Sequence, residues 1–212
     1  MSSQPDTPPQ IFRLKITLQY CVPPIWRLVE VAGSATLADL HRIIQAAFLW
    51  ENDHLHQFLT GGVLRSSSYV RKNLSPLRGG KQMPLGEILH RKGQSLFYEY
   101  DFGDGWLHEV RLEKIVPREA GVSYPRCTNA HRGAPPEDCG GPPGYDHLLE
   151  VLADPKHEEY EDLLEWVGEG FNPEDPNLPL VEKEMKKLRR VKRQRKAGPT
   201  TAEGRLQSEE WE

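Results

Sequence analysis

Residues 95–116 read SLFYEYDFGDGWLHEVRLEKIV, two β-rich runs around a short Asp/Gly connection. Asp-Gly and Gly-Asp pairs accept the positive φ values that tight hairpin turns need, so this stretch predicts a β-hairpin. Its second arm alternates His108, Val110 and Leu112 with Glu109, Arg111 and Glu113, which is the period of two of a half-buried strand and puts His108 on the apolar side. Upstream, Phe12, Leu14, Ile16, Leu18 and Tyr20 alternate with Arg13, Lys15, Thr17 and Gln19. Pro23 and Pro24 then force a turn before a second β-rich run, IWRLVEV. Two hairpins therefore frame a mostly antiparallel sheet.

Between them, Thr36 followed by Asp39 has the spacing of a helix capping box. Leu37, Leu40, Ile43, Ile44, Ala47 and Phe48 then recur at helical spacing and predict one helix lying on the sheet. HLHQFLTGG reads as a short strand, followed by a polar loop or weak hairpin through Gly80. From Pro117 to Gly144 no periodicity survives, and the density of proline and glycine predicts a long irregular loop. Two acidic amphipathic helices follow, carrying Leu148, Leu149, Val151 and Leu152, then Tyr160, Leu163, Leu164 and Val167. A last helix starts near Leu180 and runs into the basic stretch. The expected class is α+β: a mostly antiparallel sheet, one packed helix, and a C-terminal group of acidic helices. Residues 1–10 are expected to form a disordered leader, 11–188 a single domain, and 189–212 a basic then polar flexible tail.

The 212-residue chain has a net charge of -4, a pI of about 6.1 and a mean hydropathy of -0.63. No run reaches the roughly 18 apolar residues of a membrane span. The N-terminus lacks a secretory signal, and Cys21, Cys127 and Cys139 lack disulfide-scaffold spacing, so a cytoplasmic location is expected. The average charge hides an asymmetry. Residues 137–175 are strongly acidic, whereas Lys186, Lys187, Arg189, Arg190, Lys192 and Arg193 crowd the segment after them.

Several motifs recur in order: PPIWR, TLADLHRIIQAAFLWENDHLHQF, YEYDFGDGWLHEV, and YPRC through PPEDCGGPPGY. With these the chain resembles the plasmid pRiA4b ORF-3-like family, small proteins of bacterial and archaeal plasmids and chromosomes, some labelled as passengers of mobile elements. The resemblance covers roughly residues 11–188. It implies an α+β domain and assigns no catalytic residue.

Candidate sites come from the residues themselves. His54 and His56, two apart on an expected strand, would point to one side, and Asp101, Asp104 and His108 could complete a mixed nitrogen and oxygen site for zinc or another divalent metal. Trp50 and Trp106 would wall it. The same residues also fit a structural role: Asp104-Gly105 as turn chemistry, His108 as a core histidine, His54 and His56 as polar surface. Cys127 and Cys139 are eleven residues apart with no C-x-x-C pair, so buried or loop thiols are the simpler reading. Gly140-Gly141 and the two prolines after them look like a shaped entry to a helix, without the Lys and Ser/Thr of a phosphate loop. The basic run could contact nucleic acid through phosphates, yet no aromatic residue is interleaved for base stacking.

Three functions compete on this reading. The leading one is a cytoplasmic binding or accessory module for a protein or small ligand, with Trp50, Tyr100, Trp106, Cys127, Asp138 and Cys139 on the ligand surface. Its rival is a metal-dependent, hydrolytic enzyme using His54, His56, Asp101, Asp104 and His108. The third is nucleic-acid binding through the basic segment.

Overall fold

The structure, a computed structural model, describes residues 10–61, 74–78, 80–168 and 170–197, with side chains as far as residue 190. The expected leader up to residue 9, the segment 62–73 and the tail from residue 198 lie outside the described residues.

Among the described residues, seven antiparallel strands form one sheet. In chain order they are β1 (Gln10–Leu18), β2 (Ile25–Ala32), β3 (His56–Thr60), β4 (Ser75–Pro76), β5 (Ser95–Tyr100), β6 (Trp106–Pro117) and β7 (Arg126–His131). Their spatial order is β4-β3-β5-β6-β1-β2-β7. The two sequence-predicted hairpins, β1/β2 and β5/β6, meet through β1 and β6 at the centre of the sheet. Among the described residues, four α-helices complete an α+β fold: α1 (Leu37–Phe48), α2 (Gly141–Ala153), α3 (Tyr160–Val167) and α4 (Leu178–Ala197).

Register aligns the alternating apolar residues into rows. Leu14 pairs with Val29 and Leu112, Ile16 with Val110, and Leu18 with His108. The row continues through Tyr98 to Phe58 on β3. This face carries the core and is covered by α1, whose Thr36 and Asp39 form the capping box that their spacing predicts. Val181 and Met185 of α4 and Tyr145 and Leu148 of α2 complete the same core.

Strand β7 is a difference from the irregular loop expected after Pro117. Its sequence, RCTNAH, has no apolar alternation because it is an edge strand with most positions open or half-open to water. Pairing to β2 holds it instead, together with an ion triad across three strands. Glu30, 2% exposed, accepts Arg13 at 2.7 Å on one oxygen and Arg126 at 2.7 Å on the other. The last helix, α4, runs into the basic segment as expected and extends to Ala197.

Candidate functional site

The register brings the start of β3, the end of β5 and the start of β6 to one end of the sheet, with His56 opposite Tyr100 and Tyr100 opposite Trp106. The 101–105 turn sits there. Its first residue, Asp101, takes a left-handed backbone (φ 54), which a short polar side chain tolerates by bonding locally. Asp101 Oδ1 accepts from Gly103 N at 2.9 Å, Asp101 O accepts from Gly105 N at 2.6 Å, and Asp101 N donates to Leu55 O at 2.9 Å. So anchored, Oδ2 of Asp101 lies 3.7 Å from Nδ1 of His54. The other ring nitrogen, Nε2, lies 3.4 Å from Oδ1 of Asp138, which stands on the loop between β7 and α2.

His54, Asp101 and Asp138 come from three separate chain segments, and one ligand atom from each lies within 4.8 Å of the others. Metal ligands about 2.0–2.2 Å from a common centre have comparable spacing after a small contraction. The two carboxylates face different ring nitrogens, so an ion held by both carboxylates would take one nitrogen of His54, and the ring rotamer would decide which. Exposure rises outward, from Asp101 at 13% through His54 at 28% to Asp138 at 72%. The group therefore opens to solvent on the Asp138 side.

The supporting contacts are direct. Tyr100 donates its hydroxyl to Glu137 Oε1 at 2.6 Å and accepts from His54 N at 3.3 Å. Glu137 Oε2 accepts from Glu51 N at 2.6 Å, and Trp50 Nε1 donates to Pro135 O at 2.9 Å. Trp50 stacks on Tyr100 with centroids 5.2 Å apart. The 49–54 loop is thereby stitched to the 132–140 loop, and burial followed by the Glu137 bond pushes the Tyr100 hydroxyl pKa up, which keeps it protonated.

Asp104 has a separate task. Its Oδ2 accepts from Gly140 N at 3.2 Å, the residue capping α2, so the anion at that helix start is the protein's own carboxylate. Gly141 packs on the same turn: a Cβ there would lie 2.3 Å from Asp104 O. The Gly-Gly pair is thus the contact surface between the hairpin and α2.

The sequence profile of the family described as plasmid pRiA4b ORF-3-like protein matches residues 10–179. The chain belongs to this family. It is 37% identical over 158 residues to the uncharacterized protein y4hQ of Sinorhizobium fredii (strain NBRC 101917 / NGR234), covering 74% of this chain and 81% of the relative. It is also similar to a solved structure, the protein of unknown function MM3350 from Methanosarcina mazei Go1. That similarity is 40% identity with a TM-score of 0.69, over 80% of this chain and 97% of the other. In this pRiA4b ORF-3-like chain the matched span contains the whole sheet and the His54, Asp101 and Asp138 group, whereas the basic half of α4 lies beyond it.

The remaining sequence-predicted residues are placed elsewhere. β3 begins at His56, so His54 stands in the loop before it and the two imidazoles do not share a strand face. His56 stacks on His41 of α1, with centroids 3.6 Å apart. His41 Nδ1 lies 2.8 Å from the Tyr98 hydroxyl, which also accepts from Gln45 Nε2 at 3.0 Å. His108 is fully buried, edge-on to Phe48 and Trp50, and burial lowers its pKa to about 3, so the ring is neutral. Trp106 is also fully buried and lines no open surface.

Burial raises the Cys127 thiol, and burial followed by Asp104 pushes Cys139 up to about 12, so neither offers a ready thiolate. Among the described residues no cysteine joins a group of three metal-type ligands. On α4, Arg189 is engaged with Glu182 and Pro125 O, both at 2.6 Å, and Lys187 with Glu184 at 2.7 Å. Lys186 and Arg190 are on the same helix, and the side chains of Lys192 and Arg193 lie outside the described residues. Among the described residues, no helix is long and apolar enough to cross a membrane.

Two contributors carried no functional signal in the sequence. Arg27 is fully buried and donates to Ala47 O at 2.7 Å and Arg132 O at 2.9 Å, tying the end of α1 to the root of the 132–140 loop. A lone arginine on a strand reads as a surface charge until the fold places carbonyls around it. Glu137 was one acid among many, and its bond to Tyr100 becomes visible only when β5 and the loop meet.

Proposed function

We propose that the protein is a cytoplasmic binding module whose site holds a divalent cation through His54, Asp101 and Asp138. The convergence of those three ligand atoms from three segments carries this reading. One imidazole and two carboxylates suit zinc, manganese or a similar borderline ion, and three protein ligands leave coordination positions for an oxygen donor of the ligand. Binding is favoured over hydrolysis because the other sequence-predicted catalytic groups are engaged or closed off. His108 is buried and neutral, His56 stacks on His41, and Asp104 bonds the start of α2. The cytoplasmic assignment rests on the three free thiols of Cys21, Cys127 and Cys139.

Tag-free protein titrated calorimetrically with zinc or manganese tests this. One ion per chain is expected, with stabilisation of about 2.7 kcal/mol at a free ion concentration 100-fold above Kd. His54→Ala and Asp101→Asn should each abolish both signals while leaving the metal-free melting temperature close to that of the parent. Absence of binding, or binding that survives both substitutions, removes the proposal.

A further inference from the structure

Adjoining the His54 group, and lined in part by His54 and Asp138, lies a cleft of about 590 Å³ between residues 48–54, the 133–138 loop, Trp166 and the 170–177 segment. That size is within the range of about 300–1,000 Å³ found for ligand sites. Its charge is one-sided. Glu51, Asp53, Asp138 and Asp175 line it, and among the described residues no lysine or arginine does. Trp166, with 48% of its surface exposed, and Phe171 form an aromatic wall.

The walls are held in place before any ligand arrives. Gly133 N donates to Pro173 O at 2.9 Å, and a Cβ on Gly133 would lie 2.7 Å from Asn172 O, so the two segments are in backbone contact. The nearby Arg132 is 7% exposed and paired with Glu174 at 2.7 Å, so it does not neutralise the groove. Carboxylates with no lysine or arginine among them, set around an exposed indole, are the chemistry that receives an ammonium or guanidinium group, by charge attraction and by the ring face. Among the described residues, none of α4 lines the cleft, which ends at Asn177, the residue before that helix.

We propose that this cleft is the docking groove for a lysine- or arginine-rich peptide segment of a partner protein. It goes beyond the cation site, sharing His54 and Asp138 with it but not Asp101. A fluorescein-labelled lysine-alanine repeat peptide, titrated with full-length protein in EDTA and followed by anisotropy, is the test. Saturable binding is expected, weakening with added salt and absent for the glutamate-alanine counterpart. Trp166→Ala should weaken it at least about threefold, and Asp53→Asn with Asp175→Asn should weaken it further, with circular dichroism showing each variant folded. Asp101→Asn, which removes a cation ligand that does not line the cleft, should leave it unchanged, which separates this groove from the cation site. No saturable binding, or binding indifferent to Trp166 and Asp175, overturns the proposal. So does a concentration-dependent dimer in sedimentation velocity that the peptide dissolves, because a second copy would then be the occupant. Spermidine binding with the peptide silent would overturn it too, reassigning the cleft to a small polycation.

Discussion

His41 and His56 lie face to face, their ring planes 7° from parallel and their centroids 3.6 Å apart. Two imidazolium ions cannot share that spacing cheaply. Burial, and then each ring's neighbour, lowers His41 to about 4, while burial and Lys81 lower His56. His108, lowered by burial to about 3, adds to the same effect. The unfolded chain takes up these protons near pH 6.5, whereas the folded chain refuses them, so stability falls as pH drops below about 6.5 and is unaffected by these groups above it. Melting temperature measured from pH 7.5 downward should decline before the carboxylates titrate, and His56→Phe should flatten part of that decline. A melting temperature that stays level between pH 6.5 and 5 counts against this account.

Glu30 gives an acid dependence of opposite origin. Burial alone would raise its pKa, but hydrogen bonds from Arg13 and Arg126 outweigh it and hold the carboxyl below its usual range. A depressed carboxylate stabilises the fold above its unfolded pKa of about 4.3, and that contribution is lost as pH falls through the lower folded value. Glu30→Gln should cost about 1–3 kcal/mol at pH 7 in urea unfolding and loosen β7, since Arg126 loses its partner. Hydrogen exchange on β7 amides should rise more than on β5.

The hairpin and α2 meet at two glycines with different tolerances. Gly140 (φ +88) has its nearest hypothetical Cβ contact at 3.6 Å, so Gly140→Ala adds backbone strain alone, at least about 1 kcal/mol. Gly141 (φ +69) adds the collision with Asp104 O to the same strain. Gly141→Ala should therefore destabilise distinctly more than Gly140→Ala; equal thermal shifts for the two would contradict the close approach.

Arg27 bonds only carbonyls. It remains charged although burial lowers its pKa to about 10, and its guanidinium also rests over Phe48 at 4.8 Å. Arg27→Met keeps the aliphatic stem but leaves the carbonyls of Ala47 and Arg132 without their donor, so a loss of about 2–4 kcal/mol is expected. Because the same contact roots the 132–140 loop, cation affinity at Asp138 should fall along with the melting temperature. Unchanged affinity would mean that the loop is held by its bonds to Trp50 and Glu51 alone.

Local patterns in the sequence carried much of this fold. Alternation in β1 and β6, the Thr36 capping box and the apolar stripe of α1 are each written in residues close together, so their physics is visible without the rest of the chain. β7 was not visible, because an exposed edge strand has no buried face to impose a period. The site was legible only in pieces. His54 and Asp101 could be singled out by residue type, but their meeting with Asp138 depends on a turn, a loop and a register that join distant segments. The groove is less visible still, since Trp166 and Asp175 look like ordinary surface residues of an acidic helix and its linker until Pro173 docks on Gly133.

The central pairing of the sheet sets a timetable for synthesis. Gln10 is opposite Pro117 and Leu18 opposite His108, so the first strand to leave the ribosome waits for nearly the last of the large strands before its second edge is covered. Until then α1 is available to cover the apolar face of the β1/β2 hairpin but the hairpin keeps an open edge, which favours slow folding and rewards a chaperone that shields nascent chains.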